Sequence, residues 1–314
     1  MTATFDIVIV GGGPAGLSAA SSIVRQAHST LLIDSGEYRN ENCPMHTVPT
    51  WDHRQPSDFR AAARKDFERY GSVTIENTRA TAVKKLDDGL FEITGAAGQV
   101  WQGRKLVLAT GVKDVFPNID GYAECWISGI FHCLYCHGWE ERGAATSGVI
   151  AEGECGRAMI ATHLARQALR LSKETTMYTL GDEELTSAIE ADIANVPQMK
   201  VDSRKVRKLV KALTGSEVTL HFQDGTTKTE GFLAHKPKFE LRGDLADQLG
   251  LEKQNGVIKV NPPFNQTSVK GIFAAGDAAH PMQTITQAMH SGTACGGGAP
   301  LQLQAETYGQ KGML

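Results

Sequence analysis

Residues 5–16 read FDIVIVGGGPAG, and this stretch decides the fold. The apolar run is what a strand buried on both faces requires. Gly11, Gly13 and Gly16 then follow in G-x-G-x-x-G spacing. Glycine is needed at such a turn because a side chain would hold the backbone away from a pyrophosphate seated on the exposed N–H groups of the helix start. Small residues continue in LSAASSIVRQA, as in a helix packed close to a sheet, and a second strand, STLLID, ends in Asp34. A carboxylate there can accept hydrogen bonds from ribose hydroxyls. The triplet alone is a weak signal, but strand, triplet, helix, strand and terminal acid together predict dinucleotide binding.

The far end of the chain repeats the theme. GIFAAGDAA, residues 271–279, reads as a short strand reaching Gly276 and Asp277, and TITQAMHSGTACGGGA, residues 284–299, as a helix rich in small residues. Between these ends lies SGVIAEGECGRAMIATHLARQALRL, residues 147–171, an imperfect second copy of the opening pattern. Ala151, Gly153 and Gly156 replace the glycine triplet, with Glu152 and Glu154 inside the loop, where they oppose a pyrophosphate. The next strand, ETTMYTL, leads into GDEELTSAIEADIAN, which holds five acidic residues and no Lys or Arg. A 2′-phosphate needs cations at this point, and each charge-assisted hydrogen bond contributes about 1.5–3 kcal/mol. Losing two weakens binding by roughly two to four powers of ten. A solvated helix face accounts equally well for the acids but supplies no site.

These patterns predict an α/β chain of two Rossmann-like nucleotide-binding domains, the second inserted in the first. The first takes residues 1–116 and 239–314, and the inserted unit residues 117–238, degenerate for NADPH.

Composition narrows the function. With 314 residues, 41% hydrophobic and 21% charged, the chain suits two globular domains. A net charge of −3 without any basic run gives no attraction for phosphate backbones, so no nucleic-acid partner is expected. The apolar stretches are strand-sized, well below the roughly 18 residues of a membrane span. MTATFDIVIVGGG enters a strand directly, without the pattern of a secretory leader, and the expectation is a cytoplasmic protein.

Six cysteines are too few and too scattered for a disulfide framework. Two of them lie in CLYCHG, residues 133–138, a spacing open to a redox pair, half of a zinc site or covalent haem attachment. Haem attachment fits poorly with a cytoplasmic protein. His132, Cys133, Cys136 and His137 are too close together to complete a zinc tetrahedron, and no second C-x-x-C exists, so no metal is expected.

With LVLATG at 106–111, the glycine turn and the GD segment resemble the three flavin-binding signatures of two-domain FAD disulfide reductases, in the same order. Along nearly its whole length the chain resembles low-molecular-weight thioredoxin reductases. DSGEYRN at 34–40, MHTV at 45–48, TGVKDVFPNIDG at 110–121 and HCLYCHGWE at 132–140 resemble more closely a branch of flavin-dependent dithiol oxidases, the gliotoxin- and holomycin-forming oxidases of microbial secondary metabolism. In thioredoxin reductases the residue after the second cysteine is typically Asp, and here it is His137.

The resemblance implies the three-layer ββα architecture of these reductases, a homodimer, and FAD as cofactor. It implies FAD contacts at Gly11, Gly13, Ala15, Gly16, Asp34, Ser35, Arg39, Asn40, His46, Val83, Ala109, Thr110, Gly111, Gly276, Asp277, Gln287 and Ala288. Cys133 and Cys136 would form a redox disulfide, with His137 exchanging protons near neutral pH. The implied reaction closes a disulfide in a small-molecule dithiol and reduces molecular oxygen to hydrogen peroxide. An NADPH-dependent thioredoxin reductase is the alternative. His46, His280 and His290 also fall in stretches that would approach the flavin, as packing or orienting residues.

Overall fold

The computed structural model describes residues 2–314. Strand β1 (Ala3–Val10) ends in four consecutive β-branched residues, Ile7 to Val10, all buried. Such side chains are stiff and favour the extended backbone. Burying each contributes about 1.5–3 kcal/mol, so this strand belongs at the centre of a sheet. The following elements are α1 (Pro14–Ile23), β2 (Thr30–Ile33), α2 (Pro56–Glu68), β3 (Val73–Glu76), β4 (Ala80–Lys85), β5 (Phe91–Gly95) and β6 (Val100–Leu108).

The chain divides into two units, residues 1–113 with 240–314, and residues 114–239. It leaves the first within β7 (Val112–Val115). The second unit contains α3 (Tyr122–Cys125), β8 (Ile130–Phe131), β9 (Ala144–Ile150), α4 (Ala158–Ala168), β10 (Ser172–Tyr178), α5 (Glu183–Ile193), β11 (Met199–Asp202), β12 (Val206–Lys211), β13 (Val218–Phe222), β14 (Thr227–Glu230) and β15 (Leu233–Ala234). The chain returns within β16 (Lys238–Leu241) and continues through α6 (Leu245–Gln248), β17 (Lys253–Gln254), β18 (Val257–Ile258), β19 (Ile272–Ala274) and α7 (Ile285–Thr307).

In the first unit β3, β2, β1 and β6 run parallel in that order, and β19 joins the carboxyl half of β6, also parallel. The amino half of β6 instead pairs antiparallel with β5, which pairs with β4. Alternation along β1 defines three layers. Ile7 and Ile9 pack with Leu17, Ala19, Phe59, Phe67 and Leu303 on the side of α1, α2 and α7. Val8 and Val10 pack with Val83, Phe91, Ile93 and Trp101 on the side of β4 and β5. Helices α1 and α7 approach closely because Gly292 lies against the Ala15 backbone and Gly296 against Ala19.

The second unit repeats the plan. Strands β11, β10, β9, β15 and β8 form a parallel sheet. On one face Val149 and Met177 pack with Ala161, Ala165, Leu185 and Ile189 of α4 and α5. On the other, Ile150 and Tyr178 pack with Leu209, Val218 and Leu220 of the antiparallel β12–β13–β14 layer. The expected class, α/β with two three-layer nucleotide-binding folds, is the one observed. Among the described residues no helix is long and apolar enough to cross a membrane.

Candidate functional site

The register of three strands places the expected flavin residues at one sheet edge. Val10 pairs with Leu108, and Leu108 with Ala274, so all three strands end at the same level. Gly11, Ala109 to Gly111, and Gly276 with Asp277 therefore emerge together at the carboxyl ends of parallel strands, where α/β sheets bind ligands. Gly11 has φ +116°, and a Cβ there would lie 2.1 Å from the Ala109 carbonyl oxygen, so only glycine fits. Gly13 caps α1, which has Pro14 in its first turn and no acidic residue there. A Cβ added at Gly13 would meet no atom within 4 Å. The space on the Cβ side of Gly13 is thus open at a helix N-terminus, the kind of place where a pyrophosphate binds. Gly276 closes the far side against Ala15, and its N–H donates to Ser291 Oγ at 2.9 Å.

Other expected contacts are already engaged within the protein. Asp34 is only 2% exposed. Its Oδ1 accepts from the Gly36 N–H at 3.0 Å, and its Oδ2 from the Tyr38 hydroxyl and from Arg64. A carboxylate has about four lone-pair sites, so little capacity remains for a ribose. Burial and the bond to Asp34 push the Tyr38 hydroxyl up to about 12, which keeps it a donor. Val83 directs its side chain into the core, and its N–H donates to Gln248 Oε1 at 2.8 Å. Ser35 is exposed and its Oγ accepts from the Glu37 N–H. Gln287 and Ala288 lie in the first turn of α7, where Thr284 Oγ1 accepts from the Gln287 N–H. Asn40 has a left-handed backbone, φ 56°, and His46 packs edge-on against His53 at 4.7 Å. Arg39 reaches Asp277 Oδ2 at 3.2 Å and Gln283 Oε1 at 2.6 Å.

The histidines of this unit differ. His280 is half-buried, with Nε2 3.1 Å from Asn265 Nδ2. Burial, with a smaller contribution from His290, holds its pKa below the usual histidine value. His290 itself is exposed on α7.

In the second unit β8 runs into a tight turn that carries the cysteine pair. Cys133 and Cys136 are joined by a disulfide, with Cα atoms 5.3 Å apart. The N–H groups of Cys136 and His137 both donate to the Cys133 carbonyl, at 3.2 and 3.0 Å. The Cys136 N–H also lies 3.1 Å from Cys133 Sγ. A donor aimed at that sulfur stabilises a thiolate on Cys133. Gly138 permits the turn because a Cβ there would meet the Leu134 carbonyl oxygen at 2.3 Å. The two sulfur-bearing residues and His137 are partly exposed, Leu134 is buried, and Tyr135 and Trp139 are 74% and 61% exposed. Arg142 stacks on the Trp139 ring at 3.4 Å. The remaining cysteines, Cys43, Cys125, Cys155 and Cys295, are buried and outside the disulfide, all raised by burial above the ordinary thiol range. Elevated thiols of this kind are inert.

The second dinucleotide-type loop is tied to residues 235–236. The Glu154 N–H donates to the Lys236 carbonyl at 3.1 Å, and the Lys236 N–H approaches Cys155 Sγ at 3.3 Å. Lys236 Nζ pairs with the Glu154 carboxylate at 2.7 Å, and His235 Nε2 lies 3.1 Å from the Glu152 carbonyl. After β10, Asp182 caps α5 by accepting from the Leu185 N–H, and Glu183 and Glu184 fill the first turn. At the neighbouring end of β11, Arg204 is held by Asp202 at 2.5 Å and Asp224 at 3.8 Å. Lys205 lays its aliphatic stem across Gly181.

Sequence reasoning missed Tyr38, Arg64 and Gln283 at the first edge, and Tyr122 and His235 beneath the second loop. None has a motif of its own. Arg64 lies thirty residues from Asp34 and His235 lies 113 residues from Tyr122, so only folding brings the partners together.

Comparison with known proteins places this geometry. The chain is 45% identical over 313 residues to the thioredoxin reductase tcpT of Claviceps purpurea (strain 20.1), covering 98% of this chain and 97% of the relative. It is 44% identical over 303 residues to the thioredoxin reductase aclD of Aspergillus oryzae (strain ATCC 42149 / RIB 40), covering 95% and 96%. The crystal structure of an oxidoreductase from Agrobacterium tumefaciens superposes with a TM-score of 0.85 at 31% identity, over 98% of this chain and 99% of that one. The pattern that defines pyridine nucleotide-disulphide oxidoreductases matches residues 5–292. The chain belongs to the pyridine nucleotide-disulphide oxidoreductase family and is a flavin-type disulfide oxidoreductase.

Proposed function

We propose that the protein is an FAD-dependent oxidase that closes an intramolecular disulfide in a small-molecule dithiol, with dioxygen as acceptor: one dithiol and one O2 give one cyclic disulfide and one H2O2. The observation that carries this reading is an oxidised, partly exposed Cys133–Cys136 turn in a unit whose own nucleotide loop is bridged by Lys236 and Glu154. An acidic helix start follows β10 where a 2′-phosphate would need cations. Such a chain has a route for taking electrons from thiols and a poor site for a hydride donor.

A substrate thiolate attacks Cys133 Sγ, the S–S bond breaks, and Cys136 leaves as a thiolate. The second substrate thiol then attacks the substrate sulfur of the mixed disulfide, and Cys133 leaves. The Cys136 N–H stabilises that departing thiolate. Because both thiols sit on one molecule, the second step is effectively unimolecular, an advantage of up to about 7–11 kcal/mol in the best cases. His137 takes and returns the thiol protons. The exposed Tyr135 and Trp139 rings offer apolar surface to a small cyclic substrate.

The glycine edge of the first unit fits FAD: the open space beside Gly13 and the α1 start suit the pyrophosphate, with Gly276, Asp277 and the start of α7 near the same edge. Bound FAD supplies the two-electron chemistry that returns the cysteines to the disulfide and delivers the electron pair to dioxygen. A homodimeric, cytoplasmic enzyme of secondary metabolism belongs to the same reading.

A second reading, NADPH-dependent thioredoxin reductase, is favoured by the names of the relatives and by Lys205, a cation lying over Gly181 at the β10–α5 turn. Oxygen uptake measured with small dithiols, with and without NADPH, separates the two. Dithiol-driven uptake with stoichiometric peroxide and no response to NADPH supports the oxidase. Rapid anaerobic bleaching of the flavin by NADPH overturns it.

A further inference from the structure

We propose that Gln283 is a cofactor-binding residue whose side-chain amide donates to an acceptor oxygen of the flavin dinucleotide, and that Arg39 is the positioning residue that aims it. The assignment rests on the FAD reading above. Arg39 Nη1 lies 2.6 Å from Gln283 Oε1. A guanidinium has donors only, so the amide orientation is settled: the carbonyl oxygen faces Arg39, and the NH2 group points away. On that side Gln283 Nε2 is buried and meets no acceptor among the described residues. Buried donors in native proteins are nearly always paired, and one without a partner calls for an explanation.

The location supplies that explanation. Arg39 also bonds Asp277 Oδ2 at 3.2 Å, so Gln283 is fastened to the turn that follows β19. This is the edge where Gly276 packs on Ala15 and the space beside Gly13 is open. The ligand expected there is rich in acceptors: pyrophosphate oxygens, ribityl hydroxyls and flavin carbonyls. Gln283 therefore holds a pre-aimed donor next to a ligand that needs donors, and the Arg39 bridge prevents the amide from turning over to satisfy itself. Both bonds come from the same Arg39 nitrogen, Nη1, so the amide oxygen and the carboxylate converge on one donor group.

The test uses the full chain stripped of flavin and titrated with FAD. In Gln283→Glu the oxygen facing Arg39 is kept and the donor becomes an acceptor. In Gln283→Met neither group remains. Both variants should bind FAD about ten- to fiftyfold more weakly, while Gln283→Glu apoprotein melts at or above the wild-type temperature because the new carboxylate pairs with Arg39. Arg39→Met should lose FAD affinity to a similar degree, and the Arg39→Met/Gln283→Met double variant should lose little more than either alone. A merely structural role would instead lower the apoprotein melting temperature and leave the FAD affinity within twofold, and that outcome overturns the assignment. Wild-type apoprotein that takes up no FAD would overturn the flavin reading itself, a result distinguishable from failure of the Gln283 assignment alone.

Discussion

The Tyr122 hydroxyl lies 2.6 Å from Nδ1 of His235, while Nε2 of the same ring lies 3.1 Å from the Glu152 carbonyl oxygen. A carbonyl can only accept, so Nε2 carries the proton and Nδ1 accepts from the tyrosine. The histidine is buried and neutral, and burial pushes its pKa down to about 4 from an ordinary 6.5. Burial likewise raises the Tyr122 hydroxyl far above its usual range, which keeps it a donor.

This pair predicts an acid-sensitive second unit. As pH falls below 6.5 the unfolded chain takes up a proton that folded His235 refuses, so its contribution is present above 6.5 and lost as pH falls towards 4. The difference of 6.5 − 4 = 2.5 units corresponds to about 3 kcal/mol at most. Denaturant unfolding of wild type and His235→Gln between pH 7.5 and 4.5 should show the wild type losing stability relative to the variant. Parallel curves for the two proteins would remove His235 as the cause.

Glu230 predicts the opposite slope. Its side chain is fully buried, Tyr178 donates to Oε1, and burial raises its pKa against the smaller opposing effect of hydrogen bonds from Thr146 and Tyr178. A raised acid favours the protonated folded form, so its contribution is complete below pH 4.5 and is lost as pH rises through the folded value. Glu230→Gln keeps the shape and supplies N–H donors without a charge. It should be about 1 kcal/mol more stable than wild type at pH 8, with the advantage vanishing near pH 4.5. Equal stability at pH 8 would show that Glu230 is ionised at no cost.

Replacing either cysteine of the pair with serine should abolish dithiol-dependent oxygen uptake, by a factor of roughly a thousand or more, since no disulfide can then form. Flavin content should stay at the wild-type level, because the residues proposed to hold FAD lie in the other unit. A Cys136→Ser enzyme that still turned over would refute the exchange mechanism.

For His137→Ala the expected loss is about 10²-fold in turnover, with FAD retained and the neutral limb of the pH profile flattened between pH 6 and 9. If turnover holds at wild-type rate across that range, His137 serves the turn and not proton transfer.

The first unit was legible because its constraints are local. A buried parallel strand must be apolar, a pyrophosphate turn must be glycine, and both requirements fall within twelve residues of FDIVIVGGGPAG. The second unit was legible as a weaker copy for the same reason. The charge balance of its loops, with Glu152 and Glu154 inside a glycine turn and an acidic run after β10, could be read directly from the chain.

Asp34 marks the limit of that reading. Its position at the end of β2 follows from sequence, but its engagement by Tyr38 and Arg64 does not, because α2 must dock before a guanidinium thirty residues away can reach it. Val83 is similar: the strand is readable, whereas the capture of its N–H by Gln248 is a matter of how α6 packs.

The amino-acid order by itself determined two nucleotide-type folds, a glycine edge and a C-x-x-C turn, because periodicity, backbone permissiveness and short spacing act between near neighbours. Tertiary structure alone decided which polar groups engage one another: Arg39 with Asp277 and Gln283, Lys236 with Glu154, Tyr122 with His235. Each of these joins segments 80 or more residues apart in the chain, and hydrogen-bond direction at that separation exists only after the sheets have closed.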